Sequence, residues 1–142
     1  MIYLHTSAIV RLAAVESDPL PALLTEVGAA MAVTSELSGV ELDRTGAAPD
    51  VVRRARTVLD SPSVLTVEVS DLIRESAESL AEDELDPRQA IHLATALSLG
   101  AAVRVFACDD PTLGVAATAR GMRTAVPPFG SSRHSRRGEG DW

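Results

Sequence analysis

Cysteine is almost absent from this 142-residue chain: Cys108 stands alone, so no disulfide can form within it. An unpaired thiol suits a reducing cytosol. Aromatic residues are nearly as scarce, at 3%. That argues against RRM and OB-type readers, which stack bases on exposed rings. Basic charge is short too: 13 Lys and Arg stand against 20 Asp and Glu, for a net charge of −7. A broad basic surface with strong non-specific affinity for nucleic acid is therefore not expected. RNA as a substrate stays open, because a site that holds a divalent cation must itself be acidic. No apolar run approaches the ~20 residues of a membrane span. The N-terminus has no basic region leading into an apolar stretch, so it does not read as a signal peptide. The expectation is a soluble, cytoplasmic protein with no membrane attachment.

What is present is aliphatic. Hydrophobic residues make up 46% of the chain, mostly Ala, Val and Leu, which favours helices packed closely on a sheet. The length suits one domain, and at that size roughly 68–70% of the unfolded chain's surface can be buried without metal or disulfide support. Ile2–Leu4 reads as a short strand, followed by a helix over Ala8–Ala14 that Thr6 or Ser7 can cap. Further strands are expected at Ala30–Thr34, Val64–Val69, Val103–Ala107 and Arg123–Val126. Helices are expected over Pro19–Val27, from Ser35 to Arg44, and over Val51–Leu59, Asp71–Glu82, Pro87–Leu99 and Thr112–Arg120. In Asp71–Glu82, Leu72, Ile73, Ala77 and Leu80 are assigned to the inner side.

Strands that alternate with helices imply an α/β fold with a parallel sheet covered on both faces. In such sheets, sites form beyond the carboxyl ends of the strands. The residues to inspect are then His5, the helix start after Thr34, and Asp109 and Asp110. The domain is expected over residues 1–127. The segment 128–142, rich in Gly, Ser and Arg, is predicted to be a disordered tail.

Three segments in register carry a resemblance. MIYLHTSAIVRL is a strand running into a small-residue turn. VTSELSGVELDR is a helix with a glutamate before Leu-x-Arg. RQAIHLATALSLGA is followed by VFACDDPTLGVAA, which places an acid three residues before Leu113. Together these resemble the PIN-domain family, of the VapC toxin type in toxin–antitoxin pairs. The resemblance implies an α/β/α sandwich around a mostly parallel sheet of four to five strands. It also implies a metal-dependent endoribonuclease in which four acids hold Mg²⁺ or Mn²⁺ at the strand ends. Possible partners follow from it: an antitoxin protein, an RNA substrate and a second copy of the chain in a homodimer.

Carried over by position, the four places are His5, Glu41, Gln89 and Asp110, and only Glu41 and Asp110 keep the acid. Metal ligands on this reading are Asp110, Glu41 and His5, with Zn²⁺ or Ni²⁺ through the His5 imidazole as the minor alternative. The expectation is ribonuclease activity that is weak or lost. The alternatives are an active Mg²⁺/Mn²⁺ enzyme that uses His5 as a ligand, and a non-catalytic binding or regulatory module.

Each residue also has a plainer reading. Asp86-Pro87-Arg88-Gln89 has the form of a capping box, with proline at the first helical position. Asp110-Pro111 has the form of an N-cap, and Asp109 takes the acidic role if the register is off by one. Glu36 and Glu41 lie five apart, about 140° around a helix, so both cannot face one site. Glu36 is assigned to the helix dipole. His92, one turn after Gln89, reads as a satisfied core histidine or a support for a ligand, and Cys108 as a small buried residue.

Overall fold

The computed structural model describes residues 1–15, 18–80 and 84–127. Five strands form one sheet: β1 (Ile2–Leu4), β2 (Ala32–Ser35), β3 (Val64–Val67), β4 (Val105–Ala107) and β5 (Thr124–Ala125). Their order is β3-β2-β1-β4-β5, and every pairing is parallel. Parallel neighbours need crossovers, and helices supply them. Seven α-helices lie among the described residues: α1 (Thr6–Val15), α2 (Leu20–Val27), α3 (Leu37–Glu41), α4 (Pro49–Leu59), α5 (Asp71–Leu80), α6 (Pro87–Ser98) and α7 (Pro111–Ala119). None is long and apolar enough to cross a membrane.

Alternation along β1 divides the core in two. Ile2 and Leu4 pack with Ile9, Leu12, Leu23 and Val58, under α1, α2 and α4. Tyr3 points the other way, into a cluster with Ile73, Leu93, Phe106 and Leu113, under α5, α6 and α7. Side chains two apart on a strand share a face, so His5, just past β1, lies on the Tyr3 side. Tyr3 is wholly buried and stacks on Phe106, with centroids 5.1 Å apart.

Local signals explain the boundaries. Gly28 ends α2 at φ 69°, a left-handed conformation that glycine adopts without a Cβ penalty. The capping box at α6 forms in both directions: Asp86 Oδ1 accepts from the Gln89 N–H at 2.8 Å, and Gln89 Oε1 accepts from the Asp86 N–H at 2.9 Å. Asp110 caps α7 by accepting from the Leu113 N–H at 3.2 Å.

Several expectations need correction. Leu72 is 74% exposed, because only one of the adjacent pair Leu72 and Ile73 can face inward with Ala77 and Leu80. The first helix begins at Thr6, and the Thr6 and Ser7 hydroxyls bond elsewhere instead of capping it. The helix expected through Arg44 is α3 followed by a 3₁₀ turn over Leu42–Arg44. Glu36 uses its carboxylate to accept from the Val69 N–H at 2.7 Å, tying the start of α3 to the chain after β3. The expected end of the Asp71–Glu82 helix and the tail 128–142 lie outside the described residues.

Candidate functional site

Every buried polar residue among those described (His5, Thr6, Thr34, Ser35, Ser38, His92 and Thr95) comes from the junction of β1 and α1, from β2, from the start of α3, or from α6. Polar groups inside a core persist only when bonded, and most of these form a connected network. Its centre is His92, wholly buried on α6. The phenol of Tyr3 meets His92 Nδ1 at 2.7 Å, and His92 Nε2 meets Glu41 Oε1 at 2.7 Å. A carboxylate only accepts, so Nε2 carries the proton there, and in the neutral ring Nδ1 accepts from Tyr3. The Thr6 hydroxyl donates to the same Glu41 oxygen at 2.5 Å. Ser38 lies 3.0 Å from Thr6 and 2.8 Å from Thr34, whose proton goes to the Leu4 carbonyl.

His5 stands beside this chain, its ring edge-on to His92 with centroids 4.5 Å apart. Its Nδ1 accepts from the Ser7 N–H at 3.2 Å and lies 2.8 Å from Ser7 Oγ. Ser7 Oγ in turn accepts from the Asp109 N–H at 2.8 Å, which links β1's end to the loop after β4.

Electrostatics follow from burial. His5 is 8% exposed, and loss of water, reinforced by neighbouring His92, lowers its pKa to about 4 despite the opposing pull of Glu41 and Asp110. His5 is therefore a neutral imidazole near pH 7. Burial alone would raise the Glu41 carboxyl, but hydrogen bonds from His92 and Thr6 outweigh it, and the result is a lowered pKa. Burial drives the Tyr3 phenol far above its ordinary value, so it remains protonated. Burial also raises the thiol of Cys108, which is 3% exposed.

Gln89 and Asp110 form a second unit. Gln89 Nε2 donates to Asp110 Oδ2 at 2.6 Å, while Gln89 Oε1 serves the cap of α6 and Asp110 Oδ1 serves the cap of α7. The four positions picked out by the resemblance thus fall into two sets, one around His92 and one that joins two helix starts. A hard cation such as Mg²⁺ asks for several oxygen ligands in near-octahedral array. Here Gln89 offers no free oxygen without breaking its cap, and both Asp110 oxygens are engaged. That donor set does not fit Mg²⁺. Among the described residues, the one group of three metal-capable side chains is His5, Glu41 and His92, whose ligand atoms lie within 4.8 Å of one another. Asp110 is not part of it.

Sequence alone gives His92 no more than a supporting role, and Thr6 only a capping one. The signal for both is present: His92 follows Gln89 by one helical turn, and Thr6 follows His5 at the strand end. A cleft of about 560 Å³ opens over this network, with His5, Thr6, Glu41, Arg11, Arg44 and Arg88 on its walls. Arg11 pairs with Asp109 at 3.1 Å and donates to the Pro127 carbonyl. Arg44 and Arg88 are exposed and pair with no acid among the described residues. A wall of guanidinium groups suits an anionic, phosphate-bearing ligand.

No family model matches the chain. Among curated proteins, it is 34% identical over 133 residues to Ribonuclease VapC35 of Mycobacterium tuberculosis, in two strains. The match covers 89% of this chain and 97% of that protein. Among solved structures, it is similar to VapC20 of M. tuberculosis, described as a sarcin–ricin-loop-cleaving toxin. The TM-score is 0.60 at 19% identity, over 86% of this chain and 96% of the other. The second likeness supports the fold, a five-stranded parallel sheet between layers of helices.

Proposed function

The chain belongs to the VapC ribonuclease toxin family, and we propose that in this member Mg²⁺- or Mn²⁺-dependent cleavage of RNA is weak or lost. The observation that carries the reading is the closed hydrogen-bond circuit at Gln89 and Asp110. Gln89 Nε2 is bonded to Asp110, and the remaining acceptors of both residues cap α6 and α7. Together with His5 in place of an acid, this leaves Glu41 as the family-position carboxylate with an oxygen to spare. A shared divalent ion needs several oxygens and the negative charge that offsets its own. The protein then serves as a binding or regulatory PIN module on the same fold.

Several parts of the reading come with the family. An antitoxin protein is the expected partner, a homodimer the expected assembly and the cytoplasm the expected location. RNA is the expected ligand of the Arg-lined cleft. The PIN domain is taken to occupy residues 1–127, with 128–142 as a tail. Co-purification with the product of an adjacent small reading frame, and the mass of the purified protein in solution, test the partner and the dimer.

A second reading rests on one observation: His5 shares a 4.8 Å group with Glu41 and His92. In that case the protein is an active nuclease with an imidazole ligand. The deciding experiment compares the parent, His5→Asp, Gln89→Asp and the double variant on one single-stranded RNA, with EDTA controls. The double variant is expected to cleave best, with each single change contributing less than half of the gain, because ligands of one ion act non-additively. A parent that cleaves as fast as the double variant, with both abolished by EDTA, overturns the loss of activity.

A further inference from the structure

We propose that His5, Glu41 and His92 form a site for a borderline first-row cation such as Zn²⁺ in place of the family's hard-cation site. The inference rests on the proposed function in one respect: positions 5 and 89 no longer build an Mg²⁺ site. It goes further in naming a different donor set and a different class of ion.

The donors have the right chemistry. Two imidazoles and one carboxylate suit Zn²⁺, Co²⁺ or Ni²⁺, whereas Mg²⁺ favours all-oxygen sets. They also have the right reach. One ligand atom from each residue lies within 4.8 Å of the others, and two donors on a tetrahedral ion, each bonded at roughly 2.0 Å, sit roughly 3.3 Å apart. The 2.7 Å His92–Glu41 contact has to open by a fraction of an ångström, with the ion replacing the shared proton.

The surroundings hold the ligands in place. Metal-binding histidines usually have their second ring nitrogen fixed by a hydrogen bond. His92 Nδ1 lies 2.7 Å from the Tyr3 hydroxyl, and His5 Nδ1 lies 2.8 Å from the Ser7 hydroxyl. A hydroxyl accepts as readily as it donates, so His92 can carry its proton on the Tyr3 side and present Nε2. His5 can do the same toward Ser7 Oγ once its nitrogen gives up the 3.2 Å bond from the Ser7 N–H. Both histidines are buried, so they need no large rearrangement or loss of side-chain freedom to bind. Three protein ligands leave a fourth position, as in open zinc sites. His5 and Glu41 also line the cleft that Arg44 and Arg88 border.

The test is titration of metal-free full-length protein with Zn²⁺, Co²⁺ and Mg²⁺ separately. It is read by calorimetry and, for Co²⁺, by the intense visible absorption of tetrahedral coordination. One equivalent of Zn²⁺ or Co²⁺ is expected, bound at least about a hundredfold more tightly than Mg²⁺, with a tetrahedral Co²⁺ spectrum. His5→Gln and Glu41→Gln should each weaken Zn²⁺ binding about a hundredfold, and Tyr3→Phe by about tenfold. Because buried substitutions can unfold the chain, nitrogen NMR of the parent's imidazoles gives an independent reading. The ring nitrogens of His5 and His92 should shift on adding Zn²⁺. The third histidine, His134, is the control, and His134→Ala should leave binding unchanged. Absence of Zn²⁺ binding, an octahedral Co²⁺ spectrum, or binding lost in His134→Ala and kept in His5→Gln overturns the proposal. The two readings fail separately. Zn²⁺ binding by a parent that also cleaves RNA with Mg²⁺ supports this site and sinks the loss of activity. No Zn²⁺ binding and no cleavage does the reverse.

Discussion

The two halves of the strand-end cleft use similar residue types to opposite ends. Around His92, the polar atoms form a chain from Tyr3 to Glu41, with one carboxylate oxygen left over and the His5 ring beside it, held through Nδ1 by Ser7. Around Gln89, the side-chain atoms of Gln89 and Asp110 are committed to structure, in two helix caps and one bond between them. Chemical capacity is therefore set less by which side chains are present than by what their atoms are already bonded to. Asp110 keeps the family's acid and has both oxygens in structural bonds, while His92, which is no acid, sits at the centre of the half proposed to bind an ion.

The difference can be pressed hardest at His92. His92→Ala leaves a cavity and strands the Tyr3 phenol and the Glu41 carboxylate, so urea unfolding should show a loss of about 4 kcal/mol. A loss below about 1 kcal/mol would mean that the buried chain contributes little.

A somewhat smaller effect concerns acid. Burial lowers the His5 pKa to about 4 in the folded chain, against an ordinary 6.5 when unfolded. Between these values the unfolded chain binds more protons, so the stability this neutral histidine contributes is fully present above about pH 6.5. It is lost as the pH falls toward 4, a change on the order of 3 kcal/mol. His5→Gln should flatten that part of the stability–pH curve. An unchanged slope in the variant would show that His5 is not the group responsible.

The smallest effect tests whether the halves are separate. Gln89→Ala and Asp110→Ala should each destabilise by about 1–2 kcal/mol through lost caps. Their double-mutant cycle should give a coupling of about 1 kcal/mol, whereas Gln89→Ala with Thr6→Val should be additive within about 0.5 kcal/mol. Strong coupling of Gln89 to Thr6 would merge the two halves into one network.

The sheet is readable from sequence because short apolar runs and period-3.6 patterns report burial directly. Ile2–Leu4 and Pro87 onward are examples, and the capping box at Asp86-Pro87-Arg88-Gln89 follows from local spacing alone. Leu72 is misplaced by the same patterns, because two adjacent apolar residues on a helix cannot be ranked without knowing what packs on them. The positions at 5, 41, 89 and 110 come from the resemblance, and the division between them does not. It depends on Tyr3 meeting His92 and Gln89 meeting Asp110, contacts between residues far apart in sequence that no local pattern encodes.

The placement of β1 also has a consequence for how the chain is made. Of the five strands in the sheet, the earliest in sequence is the central one, and its register on one side, Ile2 against Val105, is fixed by β4, about a hundred residues further along. Non-local pairing of this kind slows folding and delays it until most of the chain is available. Asp110 follows β4, so the Gln89–Asp110 half of the cleft cannot exist on a nascent chain that stops short of that strand. Translation therefore has to pass β4 before both halves of the cleft can stand together, and a shorter nascent chain carries at most one of them.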